Sequence, residues 1–95
     1  MPRFQVAHVH EQGIDLIIVL LDSSFKHKSV QDQDQIVAEL QVCANSANLR
    51  GTVVPVWDDG GGRLAFRALP QWHQFFKSIN FQWFAVNAKL ELSCW

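Results

Sequence analysis

The alternation of apolar and polar positions divides the chain into short strand-like and helix-like segments. Residues 3 to 10 (RFQVAHVH) and 14 to 21 (IDLIIVLL) are β-rich runs. They are separated by Glu11, Gln12 and Gly13, where glycine can supply the positive φ of a tight hairpin turn. The second run is apolar on both parities, with Ile14, Leu16, Ile18 and Leu20 on one and Ile17, Val19 and Leu21 on the other. That is the pattern of a strand covered on both faces, and it predicts the central strand of a sheet.

A helix follows. Ser29 with Asp32 three residues on is a weak capping box, and apolar residues then recur at Val30, Ile36, Val37, Leu40, Cys43, Ala44 and Ala47. Asp32 and Asp34 suit the positive end of the helix dipole, and Gly51 follows as a stop, so the helix is expected from about 29 to 48.

Residues 52 to 57 (TVVPVW) and 63 to 69 (RLAFRAL) read as a second hairpin around the Asp58-Asp59-Gly-Gly-Gly turn. Pro55 cannot donate to a ladder, which points to an edge position or a bulge. Pro70 then opens a short helix whose Trp72, Phe75, Phe76 and Ile79 fall at i, i+3, i+4 and i+7. In residues 81 to 95, Phe84, Val86, Ala88, Leu90, Leu92 and Cys94 alternate with more polar positions, and this outweighs a looser helical match, predicting a long final strand. The order ββαββαβ predicts a two-layer α+β sandwich: a mostly antiparallel sheet with two helices on one face. Ile18, Leu20, Leu40 and Phe75 are the expected core.

Length and charge then narrow the picture. The 95 residues form a single domain, 1–95, and a 48% hydrophobic composition with 18% charged residues is that of a packed globule. The net charge is −1 and the eight Lys and Arg are scattered, so a nucleic-acid partner is disfavoured. The longest apolar run is too short to cross a bilayer, so neither export nor a membrane is expected. Cys43 and Cys94 are too few for a disulfide framework or a zinc knuckle, and each lies on an apolar face; two inert core thiols in a reducing cytoplasm are the expectation.

Candidate chemistry lies in the loops. A strand, helix, strand unit returns its second strand parallel to the first, which places Asp22 and Asp58 on one rim of the sheet. That rim would gather Asp22, Ser23, Ser24, Lys26, His27, Lys28, Asp58 and Asp59, carboxylates for a divalent cation such as Mg²⁺ and hydroxyls, ammonium groups and glycine amides for a phosphate. It carries neither a Walker nor a dinucleotide-binding glycine motif, and the simpler reading is a polar hairpin turn. His8 and His10, two apart on a strand, face the same way, but two ligands do not make a metal site. His73 lies off the apolar stripe and should face solvent. Ser23 and Ser24 lack the sharp turn that presents a nucleophilic serine.

The aromatic residues carry the most weight. Four Trp and seven Phe are more than one small core should hide. With residues 81 to 95 as a strand, Trp83 and Trp95 share the parity opposite the apolar face, which suggests an interface. The expectation is therefore a small cytoplasmic binding or interaction module without catalytic machinery or cofactor, self-associating as a homodimer through Trp83 and Trp95. The alternative is a small enzyme or sensor that binds a metal ion or phosphate at the Asp22, Asp58 and Asp59 rim.

Overall fold

In the computed structural model, residues 3–94 are described, which leaves Trp95 and its expected interface role outside them. The first hairpin pairs β1 (Arg3–Glu11) with β2 (Ile14–Leu21) through the turn at Gln12 and Gly13, both at positive φ. A 3₁₀ turn at Ser23–His27 leads to α1 (Val30–Ser46), where the Ser29 hydroxyl accepts the Asp32 amide as its N-cap. The chain returns as β3 (Thr52–Asp58), parallel to β2 as the crossover requires, then turns into β4 (Leu64–Phe66). A Pro70–Trp72 3₁₀ turn, α2 (His73–Lys77), α3 (Phe81–Asn87) and β5 (Leu90–Ser93) complete it. The sheet order is β4-β3-β2-β1-β5, with β2 at its centre as its two-sided apolar pattern predicts.

The fold is mixed α+β and the sheet is mostly antiparallel, its one parallel pair being β2 with β3. The helices, however, do not share a face. Val6, Ile17, Val19, Val53, Trp57 and Leu92 pack with Leu40 and Ala44 of α1, whereas Ala7, Leu16, Ile18, Val54 and Val56 pack with Trp72, Phe76 and Phe84 of the C-terminal helices. Two cores, one on each face, replace the single core expected.

That second core overturns the long final strand. Asn80 caps α3 by accepting the Trp83 amide at 2.8 Å, and the Phe81 amide donates to the Gly62 carbonyl at 3.1 Å. Phe81 and Phe84 then fall on one helical face over the sheet, while Val86, which strand parity would bury, is 66% exposed. Only Leu90–Ser93 is strand. β4 is also shorter than the 63–69 expected. Its ladder ends where Arg67 donates its amide to Pro55, and the chain then turns across the sheet edge. Of the expected core, Ile18 and Leu40 are buried, while Leu20 and Phe75 are half-buried.

The cysteines differ from the expected free thiols. Cys43 and Cys94 form a disulfide that ties the last turn of α1 to the residue after β5, across 51 residues of sequence. Loop-closure entropy for a cross-link of that span contributes about 4 kcal/mol. Because such bonds persist in oxidising surroundings, the inference of a reducing compartment from two unpaired thiols loses its basis.

Candidate functional site

The glycine rim assembles as the crossover predicts, with the Asp22 loop and the Asp58 loop side by side. Phe25 of the first lies 5.3 Å, centroid to centroid, from Trp57 of β3, and the Lys26 ammonium is 3.8 Å from an Asp59 carboxylate oxygen. Its acidic groups are already employed by the loops. Asp22 accepts the Ser24 amide at 2.8 Å, and this bond holds its carboxyl below the ordinary value. Asp58 accepts the Gly60 amide at 2.8 Å. Gly60, Gly61 and Gly62 all have positive φ, and Asp59 and Arg63 close the turn with backbone bonds. The turn geometry accounts for the residue types. Ser23, Lys26, His27 and Lys28 are exposed around it.

Metal ligation has no assembled site among the described residues, where no three His, Cys, Asp or Glu side chains converge. Asp22, Asp58 and Asp59 share a rim without forming a cation cage. His8 donates to the Arg50 carbonyl at 2.7 Å and His10 to Asp15 at 2.7 Å, so each imidazole of the pair has its own partner. The bond from His10 is the main reason that the Asp15 carboxyl lies below its ordinary value. His73, expected in solvent, is half-buried: it donates to the Ala68 carbonyl at 2.9 Å and sits edge-on to Phe66.

Trp83 is not on an outer strand face. It lies on α3, half-buried, with its ring 5.8 Å from Phe75 and nearly perpendicular to it. Every described Phe and Trp is buried or half-buried, because the sheet has a core on each face. The surplus of aromatics that pointed to an interface is absorbed within the monomer, and the parity argument falls with the strand.

A different place, the lower half of β3, stands out only once the chain is folded. β4 pairs only with Val56–Asp58, so the β3 edge from Thr52 to Val54 lies beyond the end of its neighbour. There, a groove of about 370 Å³ opens between α1 and the segment from Arg67 to Trp72. Val37, Val53, Val54, Leu69, Pro70 and Trp72 give it apolar walls, and its lining includes the Asp34–Arg67 ion pair. The strand edge beneath is closed to a further strand. Pro55 has no amide, its carbonyl takes the Arg67 amide, and the Val53 amide is capped by the Gln41 side chain at 2.9 Å. A larger depression of about 580 Å³ lies along α1, but its described lining residues, Gln35, Ala38, Glu39, Val42 and Cys43, all belong to that one helix. The one hint near the groove was Pro55, expected to mark an edge position or a bulge; β3 in fact lies between β2 and β4, and its ladder to β4 stops short of Thr52–Val54.

Among the described residues two buried side-chain nitrogens have no hydrogen-bond partner, Trp57 Nε1 and Arg67 Nη1. The first belongs to an indole packed against Phe25, whereas the second belongs to the guanidinium that helps to wall the groove. No helix among the described residues is long and apolar enough to cross a membrane. In comparisons with known proteins the chain matches no family model, no curated protein and no solved structure.

Proposed function

We propose that this protein is a small binding module without catalytic machinery, and that its ligand occupies the groove beside the lower half of β3. The observation that carries this reading is a cleft of about 370 Å³ built by three separate parts of the chain, α1, β3 and residues 67 to 72. Its size is within the usual range for small-ligand sites, and apolar walls with a few convergent polar groups are what such sites share. The rim alternative, a metal or phosphate site at Asp22, Asp58 and Asp59, has weaker support because the first two carboxylates serve as turn caps.

The test is a map of amide chemical shifts against a set of small fragments. Hits should move the amides of Val53, Val54, Ala68, Leu69, Gln71 and Trp72, and hits confined to residues 22–28 and 58–62 would overturn the reading. Self-association is a second reading, supported by the outer edge of β5 and the 42% exposed Leu90 rather than by Trp83. Sedimentation of a protein that stays monomeric at high micromolar concentration would remove it.

A further inference from the structure

The groove is walled by one side chain that has a polar atom left without a partner. Arg67 comes off the end of β4 on the face that carries α1, and its Nη2 is paired with Asp34. Its Nη1 is shut away from solvent without any partner, although the side chain as a whole remains 34% exposed. Leaving a donor of a charged group buried and unbonded is costly, and native structures do so rarely. A ligand acceptor in the groove, met by the guanidinium after a turn of its side chain, would relieve that cost and add to the bond that Nη2 already makes to Asp34. A guanidinium presents its donors as a planar fork that matches a carboxylate in two parallel bonds.

The walls define the rest of the ligand. Leu69 is 62% exposed and stands beside Pro70 and the buried Trp72, so the surface next to the guanidinium is apolar. An extended peptide is a poor occupant, because the Val53 amide is already capped and Pro55 has none to offer. Phosphates lack the apolar body that the walls would cover, and Asp34 beside Arg67 disfavours a doubly charged group more than a singly charged one. Resting on the reading of this groove as the ligand site, we infer that it binds a small organic monocarboxylate with an apolar tail, held at its head by Arg67.

The probe is hexanoate, titrated into the full-length protein and followed by amide and Arg side-chain NMR signals, with hexanamide as the uncharged control. Hexanoate should shift Arg67 Nε, Val53, Val54 and Leu69 and bind at least about tenfold more tightly than hexanamide, the difference expected for a charge-assisted pair of bonds. Arg67→Gln should remove that preference, Arg67→Lys should keep part of it, and Asp34→Asn should tighten binding by about threefold through loss of a like charge. Ligand-free melting curves of each variant establish that it is folded. Equal binding of acid and amide in the groove would overturn the carboxylate assignment and leave the groove as the ligand site. No shift in the groove with hexanoate, while uncharged fragments still bind there, would also overturn it. Absence of any fragment from the groove would overturn both.

Discussion

The two ends of β3 offer opposite kinds of surface. At its C-terminal end stands the most conspicuous stretch of the sequence, two aspartates and three glycines, and there the Asp58 carboxylate and the glycine backbone serve the turn itself while Asp59 pairs with Lys26. At its N-terminal half the sequence is an unremarkable apolar run, yet there the fold leaves a cleft, an interrupted ladder and a guanidinium nitrogen without a partner. Conspicuous polar residues in a loop are often the ones whose bonding is already complete. The proposed site lies instead where packing, not composition, leaves a bond unmade.

The largest effect should come at the base of β3. Gly51 has φ +131°, and a Cβ there would stand 2.4 Å from the Asp15 carbonyl oxygen, a backbone atom that cannot swing away. Gly51→Ala should therefore lower stability by about 2 kcal/mol or more, from strain and forced displacement together, as read by denaturant unfolding. A change of less than about 0.5 kcal/mol would mean that this end of the strand is held far less tightly than the geometry implies.

Acid should act at both ends for different reasons. Asp22 at the rim is lowered first by its bond from the Ser24 amide, and Asp15 at the base first by its bond from His10. A carboxyl lowered in the folded protein contributes stability that is complete above its unfolded value, ordinarily 3.8, and is lost as pH falls through the lower folded value. Unfolding midpoints measured from pH 5 downward should fall below about pH 4, and Asp22→Asn should flatten the rim's share of that slope while leaving Asp15's. A slope unchanged by Asp22→Asn would contradict the capping role. The smallest effect belongs to the glycine turn: replacing Asp58 and Asp59 together by Asn keeps the turn chemistry and loses only an exposed contact to Lys26, so stability should change by no more than about 0.5 kcal/mol.

How much of this was legible depended on whether the signal was local. The first hairpin, the Ser29 cap, the parallel return of β3 and the central place of β2 each rest on short-range patterns or on chain handedness, and they were readable. Residues 81 to 87 were misread because Phe84, Val86 and Ala88 mimic a period of two, while the helix depends on an Asn80 cap and on a sheet face that only tertiary structure provides. The Cys43–Cys94 bond was missed for a similar reason: nothing local places the last turn of α1 beside the residue after β5. The rim was located from topology alone, but the completeness of its bonding was not. The groove was hidden because it arises from where β4 stops, at Phe66 rather than at the Leu69 expected.

The contrast between the two ends of β3 is tested most directly by thermal melting of three proteins: the parent, the Asp58→Asn and Asp59→Asn double variant, and Arg67→Gln. Each is melted alone, with Mg²⁺ and with hexanoate. A ligand that binds only the folded state raises its stability, by about 2.7 kcal/mol at a hundred times its Kd. The predicted result is a rise in Tm with hexanoate that is equal in the parent and the rim variant and absent in Arg67→Gln, with no rise from Mg²⁺. A rise with Mg²⁺ in the parent that the rim variant loses, together with indifference to hexanoate, would contradict the account and return the site to the glycine turn.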